Sequence, residues 1–164
     1  METLVYPGSF DPFTLGHLDV ITRACQLAPK VVVLVGHNVA KNYWFTPEER
    51  VEMLQAATKD LPQVEVRLWH GSTIAALEPY LPHAALIKGL RSGNDYDYEL
   101  AQAVINRQLG QIETIFLPST PSFSHISSSV VKELAQNDLD LSEFVTPEVA
   151  NQLKQRLKTL KGKQ

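Results

Sequence analysis

The chain has 164 residues, 44% hydrophobic and 20% charged, with a formal net charge of −3. That length supports a real core in one domain, and the mildly acidic balance argues against duplex nucleic acid as a partner, since its binders carry basic surfaces. The lone cysteine, Cys25, excludes an intrachain disulfide and a cysteine-built metal site, and no apolar run approaches the ~20 residues of a membrane span.

A first strand is predicted at Leu4-Val5-Tyr6, followed by a loop through His17 that is rich in turn formers. No charged-then-apolar signal precedes it, so a cytoplasmic address is expected. Pro7 and Pro12 stiffen the loop, and Gly8 and Gly16 allow backbone to approach a ligand closely. Leu18, Ile21, Cys25 and Ala28 then recur at helical spacing, which puts Cys25 in the core and His17 in the first turn of a helix. A helix start offers unpaired N–H groups and the positive end of a dipole, so an anion is its natural guest.

Val31 to Val35 is apolar without alternation, as in a strand buried on both faces of a parallel sheet. The loop Gly36 to Phe45 carries Lys41. Thr46-Pro47-Glu48-Glu49 spells a capped helix start with Pro at the first position and Glu49 closing a capping box. Val51, Leu54, Ala57 and Leu61 are its expected buried face. Val64, Val66 and Leu68 alternate, which suggests a strand nearer a sheet edge. Ser72 or Thr73 can cap a short helix through Ile74, Leu77 and Leu81.

A fourth strand, Ala84 to Ile87, ends in the loop Lys88 to Asp95, and a helix runs from about Asp95 to Leu109. The fifth strand is Thr114 to Leu117. After the loop Pro118 to His125, Ser127-Ser128-Ser129 open another helix. Thr146-Pro147-Glu148 starts the last one, with a basic, frayed tail expected from Lys158. Strand and helix alternate throughout, so the expected class is α/β, a doubly wound five-stranded parallel sheet in a single domain over residues 1–164.

In such sheets ligands sit beyond the carboxyl ends of the strands. The loops there bring Ser9, His17, Lys41, Lys88, Arg91 and Ser127 to Ser129, a set suited to several phosphates. Neither G-x-G-x-x-G nor G-x-x-x-x-G-K-[ST] occurs, which argues against a dinucleotide dehydrogenase and a P-loop enzyme. His37, His70 and His83 lack ligand-like spacing and receive no role.

Thr14-x-Gly16-His17 resembles the (T/H)-x-G-H signature of the nucleotidylyltransferase superfamily. The longer set is more specific: Tyr6-Pro7-Gly8-Ser9-Phe10-Asp11-Pro12, Phe45-Thr46-x-Glu48-Glu49-Arg50, Gly89-Leu90-Arg91 with Asp95-x-x-Tyr98-Glu99, and Ile126-Ser127-Ser128-Ser129-x-Val131-Lys132-Glu133. In that order and spacing, the chain resembles bacterial phosphopantetheine adenylyltransferases over nearly its full length. Lys88 stands where that family usually has arginine, keeping the charge without the planar two-pronged grip.

The resemblance implies a Rossmann-like nucleotidylyltransferase fold and transfer of AMP from ATP to 4′-phosphopantetheine, giving dephospho-coenzyme A and pyrophosphate. It implies catalytic roles for His17, Lys41 and Arg91, and acceptor contacts at Ser9, Lys41, Ile74 and Lys88. ATP contacts are implied at Ser9, Phe10, His17, Gly89, Leu90, Arg91, Glu99, Phe123, Ser124, His125, Ile126, Ser127, Ser128 and Ser129. It further implies Mg²⁺ carried by the ATP phosphates with no protein metal site, coenzyme A as a feedback ligand, and a homohexamer. A related enzyme using nicotinate mononucleotide or glycerol 3-phosphate, or a non-catalytic ATP-binding module, are the alternatives.

Overall fold

The computed structural model describes residues 1–162. Five parallel strands, β1 (Thr3–Gly8), β2 (Lys30–Gly36), β3 (Val64–Trp69), β4 (Ala84–Leu90) and β5 (Thr114–Pro118), form one sheet in the order β3-β2-β1-β4-β5. The helices are α1 (Leu15–Ala24), α2 (Pro47–Ala57), α3 (Thr73–Leu77), α4 (Gly93–Gly110), α5 (Ser128–Gln136) and α6 (Pro147–Lys161). The expected doubly wound parallel sheet is the observed one, with β3 at an edge.

Side chains alternate across the central strands, so each face carries its own apolar cluster. Leu4, Tyr6, Val31, Val33, Val35, Ala85 and Ile87 join the larger one with residues of α1, α2, α5 and α6. Val5, Val32, Leu34 and Leu86 join a smaller one with Ala76, Leu77 and Ile112. Both Thr-Pro signals work as read: Thr46 and Thr146 cap α2 and α6 with Pro at the start, and the Thr46–Glu49 capping box is closed.

Several boundaries move. Lys88, Gly89 and Leu90 belong to β4 rather than to the loop after it, and α4 starts at Gly93 with Ser92 as cap. Ser72, not Thr73, caps α3, which ends at Leu77, so Leu81 lies beyond it. The buried residues of α2 are Arg50, Met53 and Leu54; Val51, Ala57 and Leu61 are half-buried or better. Local spacing could not assign a guanidinium to the interior. At the C-terminus α6 stays helical to Lys161 where a frayed tail was expected, and residues 163–164 lie outside the described residues. No helix among the described residues is long and apolar enough to cross a membrane.

The pairing of β1 opens a place for a ligand. β1 pairs with β2 all the way to Gly8↔Val35, yet with β4 only as far as Val5↔Leu86. β1 and β4 therefore part at their carboxyl ends, where the winding of the sheet reverses, and a crevice opens between them.

Candidate active site

A cleft of about 310 Å³ fills that crevice, lined by Tyr6, Thr14, Gly16, His17, Val20, Gly89, Arg91, Ser119, Phe123, Ile126 and Ser127 to Ser129. Three helices start at or beside it. Thr14 caps α1, Ser127 caps α5, and Ser92, next to Arg91, caps α4. Each cap satisfies one N–H of its first turn and leaves others free for a ligand, so the helix starts favour negative charge here.

His17 sits at the third position of α1 and closes a capping box: its N–H donates to Thr14 Oγ1 at 3.3 Å, and its Nδ1 accepts from the Thr14 N–H at 3.0 Å. A backbone N–H can only donate, so Nδ1 carries no proton and Nε2 is left as an N–H donor. The ring stacks on Phe13 at 5.9 Å and meets Phe10 edge-on at 5.0 Å. Enclosure by these neighbours, aided by the positive Arg91, pushes the His17 pKa down to about 4. The imidazole is therefore a neutral donor of fixed tautomer at pH 7.

That shift carries a stability consequence. The folded-state pKa lies below the ordinary value of 6.5, so on acidification the unfolded chain takes up the proton first. The native state loses nothing on this account above pH 6.5, and progressively more down to about pH 4. At ~1.4 kcal/mol per unit the full loss is roughly 3 kcal/mol. Urea unfolding at pH 7 and pH 4.5 should show the wild type losing more stability than His17→Gln; equal losses would contradict it.

Arg91 holds Asp95 two-pronged, Nε at 3.1 Å and Nη2 at 3.1 Å, while Asp95 also accepts the Arg91 backbone N–H at 2.9 Å. Burial works against ionisation of Asp95, but these bonds outweigh it and hold the carboxyl below its ordinary range. Arg91 Nη1 reaches the Ile126 carbonyl at 3.3 Å, tying β4 to the start of α5. Asp19 holds the other wall of the cleft by accepting from the Thr120 hydroxyl at 2.9 Å.

Gly89 shows why a side chain is excluded from this wall. A Cβ there would stand 2.7 Å from Val20 Cγ2. Gly89→Ala should cost about 1–3 kcal/mol, the range for overpacking. Val20→Ala in the same chain should restore part of it, and denaturant melts of the single and double variants check this.

Of the residues expected from sequence, His17, Gly89, Arg91, Phe123, Ile126, Ser127, Ser128 and Ser129 meet in the cleft. Ser128 also donates to the Pro12 carbonyl at 2.8 Å, fastening α5 to the first loop. The others stand elsewhere. Lys88 Nζ pairs with Glu99 at 3.2 Å, so an acceptor contact and an ATP contact expected separately are one ion pair. The Phe10 ring is buried against Tyr6 and His17 and cannot stack on a base. Phe10 has φ 51, a conformation that a bulky residue adopts only when its surroundings hold it.

Ile74 packs against the smaller apolar cluster and does not line the cleft. Ser124 donates its hydroxyl to the Pro121 carbonyl, and exposed His125 meets Phe144 edge-on at 5.7 Å; neither lines the cleft. The Leu90 carbonyl accepts the Ser119 N–H at 2.7 Å. Lys41 is exposed in the β2–α2 loop.

Sequence reasoning missed two organisers of these loops. Asp11, buried, accepts the Phe45 N–H at 2.9 Å, the Trp44 N–H at 3.0 Å and Lys132 Nζ at 2.6 Å. Arg50, fully buried, donates to the carbonyls of Ser9 at 2.7 Å and Gly36 at 2.8 Å. Val20 and Tyr6 of the lining were also missed. Val20 lies three residues after His17 on α1, so helix periodicity could have found it.

A doubly wound sheet that opens at its reversal point onto a T-x-G-H helix start is the build of a nucleotidyltransferase, and the cytidylyltransferase-like family model matches residues 5–134. The chain is 43% identical to a phosphopantetheine adenylyltransferase of Caldanaerobacter subterraneus subsp. tengcongensis, covering 96% of this chain and 99% of that one. It is 45% identical to the one of Nocardioides sp., covering 96% and 98%. Plasmodium falciparum nicotinic acid mononucleotide adenylyltransferase, solved complexed with NaAD, shares the fold with a TM-score of 0.66 at 14% identity, covering 92% of this chain and 93% of that one. The chain belongs to the phosphopantetheine adenylyltransferase family of enzymes.

Proposed function

We propose that the enzyme transfers the adenylyl group of ATP to 4′-phosphopantetheine, releasing dephospho-coenzyme A and pyrophosphate by direct in-line attack. The observation that carries this reading is the fixed Nε2–H of His17 in a cleft onto which helix starts converge. The acceptor phosphate is an anion at neutral pH and needs no base to attack the α-phosphorus. Its oxygen forms the new P–O bond as the bond to the β-phosphate oxygen breaks, and pyrophosphate carries off the electron pair.

Catalysis is then positioning and charge neutralisation. His17 donates to the α-phosphate oxygens as charge builds. Arg91 and the α5 start at Ser127 to Ser129 hold the departing phosphates. Gly89, Leu90, Phe123 and Ile126, with the backbone at Phe10, Ser124 and His125, border the nucleotide.

At about 310 Å³ the cleft is at the small end of ligand sites, so the acceptor lies to its side, by Ser9, Lys41, Ile74 and Lys88. Glu99 restrains Lys88 there. Mg²⁺ would travel with the triphosphate and neutralise its charge, with the serine hydroxyls of α5 as the oxygens the cleft can add. Coenzyme A, which shares the product's two ends, is the feedback ligand expected at this site, and the reaction is placed in the cytoplasm.

The purified protein with ATP and Mg²⁺ should form dephospho-coenzyme A from 4′-phosphopantetheine. Turnover of nicotinate mononucleotide with none of phosphopantetheine would overturn the reading.

The homohexamer belongs to the same proposal. α4 has 18 residues and none buried, and it exposes Tyr98, Val104, Ile105 and Leu109 at 46% or more. An apolar helix face of that extent marks an interaction surface. Light scattering should give six times the chain's 18.3 kDa, and Val104→Lys with Ile105→Lys should lower the mass. A wild type that runs as a monomer refutes it.

A further inference from the structure

Arg50 is the bulkiest fully buried side chain among the described residues. Among those residues no carboxylate forms an ion pair with it. Its donors go to carbonyls instead: Nη1 to Ser9 and Gly36, and Nε to Thr46 at 3.3 Å. The guanidinium also lies over the Tyr43 ring, 4.2 Å from its centroid. Interior cations are costly unless something offsets them, and this one sits directly behind the residues that end β1 and β2.

Its remaining arm makes one contact with a side chain. Nη2 stands 3.2 Å from Nδ1 of His37. A guanidinium has no acceptor atom, so His37 Nδ1 must accept, and the ring proton resides on Nε2. This repeats the arrangement of His17, whose Nδ1 is likewise occupied by an obligate donor. His37 is the first residue after β2, and its ring stacks on Tyr43 at 5.2 Å. The ring of His70, the first residue after β3, stands 6.1 Å away. Ser9, His37 and His70 thus end three adjacent strands on the side of β1 away from the cleft.

We propose that His37, held by Arg50 as an Nε2–H donor, binds the phosphate of the acceptor substrate, with the Arg50 charge behind it, paired directly with no carboxylate among the described residues, favouring that anion. This rests on the reading that an anionic acceptor approaches the cleft from the Ser9 side. His37 orients the acceptor and has no part in the bond change at the α-phosphorus, so its loss appears in acceptor binding rather than in the chemical step.

Two near-isosteric variants separate the ring's two nitrogens. His37→Asn places an amide oxygen where Nδ1 was, keeping Arg50 satisfied, and loses the outward N–H. His37→Gln can place an amide N–H near the Nε2 position and leaves Nη2 of Arg50 without its acceptor. In steady-state assays His37→Asn should raise the 4′-phosphopantetheine KM about 10- to 100-fold, the size of one hydrogen bond to a charged group. Its kcat, ATP affinity and Tm should stay near wild type. His37→Gln should recover most of the acceptor KM at a lower Tm.

Nitrogen NMR of the wild type should show His37 Nδ1 unprotonated; a protonated Nδ1 overturns the proposal. So does an unchanged acceptor KM in a folded, active His37→Asn. Wild-type protein that does not turn over phosphopantetheine at all would instead remove the reading of the reaction on which this proposal stands.

Discussion

Replacing His17 with glutamine should lower kcat by about 10²–10³, roughly 3–4 kcal/mol, while leaving stability near that of the wild type. The reason lies in its double bonding. Nδ1 is committed to the Thr14 N–H, and glutamine at the third helical position can take that bond over, since it is a natural member of a capping box. A glutamine whose amide oxygen is committed to the Thr14 N–H cannot also hold an N–H where the imidazole Nε2 stands.

The α-phosphate gains charge during transfer, so the missing donor is felt in the transition state more than in the ground state. ATP affinity by calorimetry should remain within a few-fold. His17→Ala should show the same kcat loss plus a stability loss of about 0.5–2 kcal/mol from the broken cap. A His17→Gln protein with near-normal kcat would remove His17 from the chemistry and leave it a cap.

Asp11→Ala should destabilise the fold by about 3–5 kcal/mol, which for a chain of this size is a fall in Tm of roughly 10 °C. One carboxylate satisfies two N–H groups, of Trp44 and Phe45, and the Lys132 ammonium. Its removal leaves the buried Phe45 N–H without an acceptor and Lys132, over the Trp44 ring at 5.6 Å, without its anion. Asp11→Asn should cost less, because an amide oxygen still accepts while the charge is lost. Thermal melts with Lys132→Met and the double variant test the coupling. Additive single effects would show that the Asp11–Lys132 contact contributes nothing of its own.

Much of the molecule is legible in the amino-acid sequence because its signals are local. The Thr46–Glu49 capping box is a matter of four consecutive residues, and the apolar run at Val31 to Val35 states its own burial. The alternation at Val64 to Leu68 is enough to place β3 at an edge. His17 can be assigned to a helix start, and the serines at 127–129 to another, for the same reason. The motif set identifies the family because its members keep order and spacing along the chain.

What the residues cannot announce is how side chains distant in sequence divide their bonds. Lys88 and Glu99 read as contacts to different substrates and are paired with each other, since β4 runs on past its last pairing with β1 and carries Lys88 to α4. Arg50 reads as part of a motif, yet it is interior because three carbonyls from two strand ends and a helix cap converge on it. Phe10 and His125 read as nucleotide contacts, but packing turns one ring into the core and the other toward Phe144. Asp11 meets Lys132 across 121 positions. Helix caps and strand faces follow from bonds that each segment makes with itself, whereas the loop that carries Lys41 and the helix that carries the serines are joined only once the sheet has brought their ends together.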